Sequence, residues 1–272
     1  MERMEGEYQQ KVEACTDVRS LFSLWKNKPE SGPIRIQDEH SVRQIRINHG
    51  ANGFIADGIV DAPTWKEQKR KILFVLKEAY HDKRAEYDLS ASLKVEGPWG
   101  SVWNRCAEWI SGICRADRGN PLPPYQALSW GDANSLLKSC AVLNLKKSDG
   151  NSSSCMGEIA EYAQYDHLEI KQQIKIINPD IVICGSVLYL LKEHVYGDAL
   201  LGNGQFRGER NDNWYYWTTA LTGKPTLVID FYHPANRYPA VLNYYALMGV
   251  YHQAVRDCAR MEPVGRIGWL NT

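Results

Sequence analysis

The sequence predicts an α/β protein: a three-layer α/β/α sandwich with a short central sheet of four parallel strands. From residue 71 onward, continuous runs of Val, Ile and Leu alternate with helical segments. Such runs are typical of strands that helices cover on both faces. The chain has 272 residues, 44% of them hydrophobic, which is ample for a well-buried core. We expect one domain over residues 1–272, with residues 1–65 as an extension packed on it.

The predicted elements follow in a regular order after a mixed N-terminal segment. A helix is expected around Lys11 to Trp25, and the Pro- and Gly-rich residues 27–40 fit either a loop or an edge ribbon. Strands are predicted at residues 71–77, 140–145, 180–185 and 225–233. Helices are predicted at residues 101–116, 157–178, 186–197 and 240–261, and Pro179 ends the second of them.

Charge and cysteine content exclude several classes of protein. The 32 basic residues balance the 32 acidic ones, so a site for a polyanion must be a local patch. The chain has no apolar run long enough to cross a bilayer, and its first ten residues are too polar for a signal peptide. We therefore expect a soluble, cytoplasmic protein. Seven scattered cysteines without a C-x-x-C pair argue against disulfides, zinc and iron-sulfur clusters, so we expect no metal and no cofactor.

Polar side chains follow the ends of all four predicted strands. The carboxyl ends of parallel strands share one edge of a sheet, which is where ligands bind in α/β proteins. A carboxylate, an amide and an imidazole are therefore expected to converge, a set that suits hydrolysis with an anionic leaving group. In strand order the residues are Glu78, Tyr80 and His81; Asn144, Lys146 and Lys147; Gly185 and Ser186; and Tyr232, His233 and Pro234.

Five motifs in order resemble the uracil-DNA glycosylase superfamily. They are LFVLKEAYHD, GPWGSVW, VLNLKK, NPDIVICGS and FYHPANR, and they span residues 71–237. The resemblance implies that a residue after the first strand activates water, an aromatic ring stacks on a flipped base, and an asparagine reads the base edge. It also implies that the loop starting at His233 carries a second catalytic group and a wedge that enters DNA.

Two departures from the family pattern affect the assignment of residues. LKEAYH aligns with Gly-Gln-Asp-Pro-Tyr-His by matching Tyr80 and His81, or with Gly-Glu-Ala-Pro-Gly by matching Glu78 and Ala79. We favour the first register, which retains two identities and a carboxylate. The family's His-Pro-Ser reads His-Pro-Ala here, so Ala235 removes a hydroxyl that would bind phosphate. The clustered cysteines of the iron-sulfur branch are absent from the sequence.

The chemistry of glycosidic cleavage assigns a role to each candidate. Cleavage develops positive charge on the sugar and negative charge on the departing base. Glu78 is expected to stabilise the sugar and orient water, and His233 to donate a hydrogen bond to the base. The expected substrate contacts are Tyr80, His81, Trp99 as the stacking face, and Asn144. The expected DNA contacts are Lys146, Lys147, Ser186, Asn236, Arg237 for phosphate and Tyr238 as wedge.

The sequence leaves the base and the activity open. The amide of Asn144 suits uracil in one orientation and cytosine in the other, so a modified cytosine of phage DNA is an alternative to uracil. The leading hypothesis is a monomeric, metal-independent DNA glycosylase with DNA as its partner and no obligate protein partner. The alternative is a catalytically silent member that binds nucleic acid or a nucleotide in the same pocket.

Overall fold

The computed structural model describes residues 2–37, 42–80, 86–117, 119–150, 153–201 and 214–258. Its centre is a five-stranded sheet in the order β6-β4-β7-β9-β8, accompanied by two small two-stranded sheets, β1-β2 and β3-β5. The strands are β1 Ile34–Gln37, β2 Val42–Ile45, β3 Ile55–Ala56, β4 Ile72–Tyr80, β5 Tyr87–Asp88, β6 Cys140–Gly150, β7 Ile181–Gly185, β8 Tyr215–Thr218 and β9 Thr226–Phe231.

Helices surround the central sheet on both faces. They are α1 Glu2–Glu13, α2 Val18–Lys26, α3 Ala62–Glu67, α4 Leu89–Glu96, α5 Gly100–Arg115, α6 Trp130–Leu137, α7 Met156–Tyr165, α8 His167–Ile177, α9 Leu188–Leu190 and α10 Ala240–Cys258. A π-helical turn, Leu191–Tyr196, and a 3-10 turn, Gly197–Leu201, continue α9. None of the described helices combines the length and the apolar character that a membrane crossing requires.

The central sheet contains the four predicted parallel strands and one strand that was not predicted. β6, β4, β7 and β9 are parallel to their neighbours, whereas β8 pairs antiparallel with β9. The expectation of a four-stranded sheet is therefore wrong by one edge strand. β8 has only four residues, too few to show a strand period, and it covers the open edge of β9 as antiparallel edge strands often do.

Side-chain alternation along the strands divides the core between the two faces. Ile72, Phe74 and Leu76 of β4 join the cluster beneath α4, α5, α6 and α10. Leu73 and Val75 join the cluster beneath α2, α7 and α8. Because successive side chains of a strand point to opposite faces, a continuous apolar run is buried on both sides. The α/β class and the two helical layers follow directly from this pattern.

Three of the predicted helices are interrupted. The expected helix 157–178 is two helices separated by Asp166, whose buried carboxylate binds Lys28 and His49 instead of extending into solvent. The expected helix near Lys11 to Trp25 is divided between α1 and α2, where Asp17 caps α2 by accepting two backbone N–H groups. The expected helix 186–197 is a short α-turn that continues as a π-helix.

The N-terminal residues pack against the sheet and extend it. Of residues 27–40, Ile34–Gln37 form β1, which pairs with β2 in a two-stranded ribbon separate from the central sheet. The ribbon alternative therefore holds for these residues, and residues 38–40 lie outside the described ranges. Gly58 accepts a hydrogen bond from the N–H of Val142, and the N–H of Val60 donates to the carbonyl of Cys140. This segment therefore lies along the outer edge of β6. It also brings Asp57 next to the end of that strand.

Candidate functional site

The strand ends that were expected to meet do lie at one edge of the sheet. Glu78 of β4 is opposite Lys146 of β6, and Gly185 of β7 is opposite Phe231 of β9. His233 follows two residues after β9. With strands spaced about 4.8 Å apart, β4 and β9 are separated by roughly 10 Å, with β7 between them.

Glu78 is buried and uses only one of its two carboxylate oxygens. Its side chain is 3% exposed, and its Oε2 lies 3.1 Å from the Lys146 ammonium. Among the described residues, Oε1 has no hydrogen-bond partner. Gly150 packs directly against the side chain, since a Cβ at that position would lie 2.7 Å from Glu78 Cγ. A buried carboxylate oxygen without a partner is costly, so Oε1 retains an unused capacity to accept a hydrogen bond.

Lys146 belongs to an ion-pair chain and is not presented to solvent. Its ammonium lies 2.8 Å from Glu158, which in turn pairs with Arg43 of the N-terminal ribbon. Burial acts to lower the pKa of Lys146, but the hydrogen bond to Glu158 and the charges of Glu78 and Glu158 outweigh it and raise the pKa. Its side chain is only 4% exposed. The expectation that Lys146 contacts DNA phosphate is therefore corrected: it neutralises two carboxylates inside the protein.

Lys147 and Asn144 are also turned inward, and both are held by Asp57. Lys147 is fully buried and pairs with one oxygen of Asp57, which also accepts from Gln173 at 2.8 Å. The other oxygen accepts from the backbone N–H of Asn144 at 2.7 Å and from its amide Nδ2 at 3.2 Å. The DNA contact expected of Lys147 is thus also corrected. Asn144 is 1% exposed, and its Nδ2 is directed to Asp57.

The imidazole of His233 is held in one tautomer. Its Nδ1 accepts a hydrogen bond from the backbone N–H of Ala235 at 3.1 Å. The tautomer inferred from this contact carries its proton on Nε2, which is then a donor. Burial, followed by the nearby charge of Lys77, lowers the pKa of His233 to about 4. The ring is therefore neutral at physiological pH.

Ser186 positions the His233 loop, because its Oγ accepts the backbone N–H of His233 at 3.0 Å. The phosphate contact expected of its hydroxyl stays a prediction, since the O–H can still donate. Ser186 has a φ of 59°, an uncommon value for a residue with a side chain, and its own N–H donates to Phe231 at 2.7 Å. At the preceding Gly185, a Cβ would lie 2.8 Å from Leu76 and 3.3 Å from the His233 ring. The missing side chain lets the imidazole lie close to β4.

The loop after His233 is fixed from within and from α5. The Asn236 amide donates to the His233 carbonyl at 2.9 Å and exchanges hydrogen bonds with Asn243, so its expected DNA contact is replaced by an internal role. Arg105 of α5 donates to the carbonyls of Pro234, Asn236 and Tyr238. Arg237 is exposed, and Tyr238 is 54% exposed. Of the six expected DNA contacts, these two are exposed, Ser186 and Asn236 are half-buried, and the two lysines are buried.

The two aromatic residues expected to contact the base, Trp99 as its stacking face and Tyr80 beside its C5 edge, lie at the surface. Tyr80 ends β4 and is 67% exposed, and Trp99 is 39% exposed just before α5. The Trp99 ring lies 6.1 Å from the buried ring of Trp103, measured between centroids. His81 lies outside the described residues.

Sequence reasoning missed three residues of this region: Asp57, Arg105 and Glu158. Each acts through a partner far away in the chain, with separations of 87 residues for Asp57 to Asn144 and 129 for Arg105 to Pro234. Their only local signals are an Asp-Gly turn at Asp57 and ordinary helical positions for the other two. None of these signals distinguishes them from solvated charges.

Within the described ranges, no group of three or more His, Cys, Asp or Glu side chains is placed to hold a metal ion. No protein-family model matches the chain, and no curated protein matches it either.

Proposed function

We propose that this protein hydrolyses the N-glycosidic bond of a flipped pyrimidine base in DNA. One observation carries the proposal: two complementary groups occupy the same edge of a parallel sheet. Glu78 offers a buried carboxylate oxygen without a partner among the described residues. His233 offers a neutral ring whose Nδ1 is already satisfied, leaving Nε2–H to donate. Glycosidic cleavage requires an anion near the sugar and a donor near the base.

The reaction follows from these two groups. The bond between C1′ and the base nitrogen breaks with its electron pair moving to the base, and His233 Nε2–H donates a hydrogen bond to the base oxygen on which the charge accumulates. The carboxylate of Glu78 stabilises the cationic sugar and orients a water molecule. The water oxygen then bonds to C1′, one of its protons passes to Glu78, and a proton returns to the free base. The products are the base and an abasic sugar.

In the proposed complex, few side chains contact DNA. Trp99 and Tyr80 supply exposed rings for the flipped base, while Arg237 and Tyr238 project from the His233 loop. Because Lys146 and Lys147 are engaged inside the protein, few phosphates are neutralised. The affinity for DNA should therefore fall only shallowly as salt is raised, since the salt slope scales with the number of phosphates neutralised.

The first test is a panel of end-labelled DNAs that contain uracil, hypoxanthine, a thymine mismatch, or hydroxymethylated or glucosylated cytosine. Alkali cleaves the strand wherever a base has been removed. We expect a product from one pyrimidine substrate, which also identifies the base. Binding without a product from any member of the panel would contradict the proposal.

The second test replaces Glu78 with Gln and uses Glu67→Gln, at an exposed position of α3, as the matched control. If Glu78 stabilises the transition state, the rate on the confirmed substrate should fall by orders of magnitude, while DNA affinity stays nearly unchanged. Glu67→Gln should behave as wild type in both assays. Unchanged turnover in Glu78→Gln would exclude the mechanism.

A catalytically silent binding protein is the second candidate. The ion pair between Lys146 and Glu78 favours it, because the pair gives the carboxylate a purely structural partner. In that case the DNAs of the panel are bound but none is cleaved, and Glu78→Gln changes the stability of the protein while no base is excised by either protein. The proposed hydrolase shows product in the same assay.

A further inference from the structure

Three exposed aromatic rings form a row beside the His233 loop. The ring centroids of Trp214 and Tyr232 are 5.4 Å apart, and those of Tyr232 and Tyr238 are 5.5 Å apart. Trp214 is 39% exposed, Tyr232 40% and Tyr238 54%. We call these three residues the aromatic row. Exposed rings of this size in contact with one another form a continuous apolar surface, which in soluble proteins marks an interaction site.

Packing beneath the aromatic row holds two of its rings in place. Phe231 is 3% exposed and lies under both Trp214 and Tyr232, with centroids 6.1 Å and 5.5 Å away. Phe231 in turn packs edge-on against the fully buried Trp109 of α5, at 5.4 Å. A ring that packs on a buried side chain on one face and is exposed on the other is already fixed in position. Its side chain therefore loses little conformational entropy when a ligand binds.

The aromatic row adjoins the proposed catalytic centre. Tyr232 immediately precedes His233, and Trp214 is anchored to β9 because its carbonyl accepts the N–H of Asp230 at 2.8 Å. Arg237, exposed on the same loop, precedes Tyr238. A nucleic-acid strand with one base bound at His233 would therefore run past the rings of the aromatic row and the cation of Arg237.

We propose that the aromatic row stacks unpaired bases flanking the target, so that the protein binds single-stranded nucleic acid. This inference rests on the proposed function, since it places the flipped base beside His233. The planes of neighbouring rings are tilted by 55° and 59° to one another, so their faces point in different directions. Bases stacked on these faces cannot stay parallel to one another as they do in a duplex, which favours an unpaired strand. Stacking tolerates any sequence because every base has a π-face, and Arg237 favours a polyanion over an apolar peptide.

Fluorescence anisotropy tests the aromatic row without any reaction. The probe is a labelled oligothymidylate of about 12 nucleotides, within the ~4–16 that one binding surface covers, compared with the same strand in a duplex. Wild type should prefer the single strand. Trp214→Ala, Tyr232→Ala and Tyr238→Ala should each weaken its binding roughly 5- to 150-fold, the range typical of one lost stacking contact.

Matched variants separate stacking from simple loss of bulk. Trp214→Phe keeps an aromatic face and should retain most of the affinity, whereas Trp214→Leu keeps bulk alone and should not. Trp130→Ala removes an exposed tryptophan of α6 and should bind as wild type. If Trp214→Ala or Tyr232→Ala fails to fold, Tyr238→Ala decides the question, because Tyr238 is the most exposed ring of the three.

Three results would overturn the inference: equal binding of single strand and duplex, wild-type affinity in the alanine variants, or oligomers that the Trp214→Ala change dissociates in sedimentation. The last would assign the row to contact between copies of the chain. Because the oligothymidylate contains no target base, these outcomes are independent of the excision panel. If no DNA of the excision panel gives a product but the protein still prefers the single strand, the proposed hydrolysis is rejected and the proposed binding by the aromatic row is supported.

Discussion

At His233, the protein determines both the charge and the tautomer of the imidazole. The Ala235 N–H occupies Nδ1, and burial with the charge of Lys77 keeps the pKa near 4. Such a ring donates from Nε2 over the whole neutral range and does not need to gain a proton before the base departs. The pH dependence of the proposed reaction should therefore show no acid limb from His233 above about pH 4.

The lowered pKa of His233 also predicts how stability changes with pH. The unfolded chain binds a proton at this residue near pH 6.5, whereas the folded chain binds it only near pH 4, so stability is complete above about pH 6.5 and falls toward pH 4. His233→Asn keeps an oxygen that can accept the Ala235 N–H but does not titrate. Urea unfolding from about pH 7 to about pH 5 should therefore show a steeper loss in wild type. Parallel losses in the two proteins would contradict the shift.

Residues at strand ends were predictable from the sequence, but the directions of their side chains were not. The order of polar residues after apolar runs located Glu78 and His233 toward the carboxyl ends of β4 and β9. Asn144 is instead the fifth residue of the eleven-residue β6 and is turned to Asp57 inside the protein. Lys146 and Lys147 were assigned to solvent because lysine is almost never fully buried without a partner. The partner of Lys147, Asp57, is 90 residues away, and Glu158, a partner of Lys146, lies on the following helix α7. The local sequence around the two lysines does not show which carboxylates they pair with.

Among the helices and strands, α5 has the most direct effect on the site, since it carries Arg105, which binds the backbone of the His233 loop. One guanidinium donates to three carbonyls of that loop, using the planar fork of donors that only arginine has. The helix itself was predicted almost to the residue, from 101–116 against Gly100–Arg115. Its function was not, because the amphipathic pattern that reveals a helix says nothing about which loop its polar side reaches.

Replacing Arg105 with Ala should loosen the His233 loop. We expect a loss of about 1.5–3 kcal/mol in the free energy of unfolding, the value of hydrogen bonds to a charged group, and a lower kcat with a smaller change in KM. Arg105→Lys should recover only part of the lost stability and of the lost kcat, because one ammonium cannot reach three carbonyls in the geometry of the guanidinium. Thermal melting and steady-state kinetics on the confirmed substrate measure the two effects.

The neighbouring Asn104, exposed on the same helix, provides the control for Arg105. Its amide donates to the Gly100 carbonyl within α5 at 3.0 Å. Asn104→Ala should change stability and kinetics little. Equal effects of Asn104→Ala and Arg105→Ala would show that α5 itself, and not the guanidinium, supports the loop.

At the scale of the whole molecule, the N-terminal residues complete the sheet edge instead of merely covering it. Asp57 accepts from Asn144, Lys147 and Gln173, three buried donors on two different elements. Burial lowers the pKa of Lys147, and the charge of Asp57 opposes this. The interior around the strand ends is therefore polar and depends on a residue from outside the α/β core.

Asp57→Ala should cost about 3–5 kcal/mol of unfolding free energy, because it leaves a buried ammonium without its partner. The double variant Asp57→Leu with Lys147→Met should recover much of that loss, since apolar groups of similar volume replace buried ion pairs at little cost. Urea unfolding measures both. Arg46→Ala, at an exposed pair with Glu30, is the control and should change stability by less than about 1 kcal/mol. A small effect of Asp57→Ala would show that water reaches the ammonium.

The overall architecture was predictable to the level of class, layers and the four parallel strands, because apolar runs and their spacing report burial directly. The antiparallel β8 and the interruption of the long helix at Asp166 were not predictable. Both depend on tertiary partners, β9 for the first and Lys28 with His49 for the second. Local patterns lose their predictive power where a distant contact outweighs them.

The position of Asp57 also has a consequence for the time course of folding. Its last partner, Gln173, is 116 residues further along the chain. At a synthesis rate of about 5–20 residues per second, Asp57 waits roughly 6–23 s on the ribosome before that donor has been made. Long-range closure of this kind raises contact order and slows folding. The nascent chain therefore carries an unfinished sheet edge while these 116 of its 272 residues are made, and during that interval Asp57 lacks one of its buried partners.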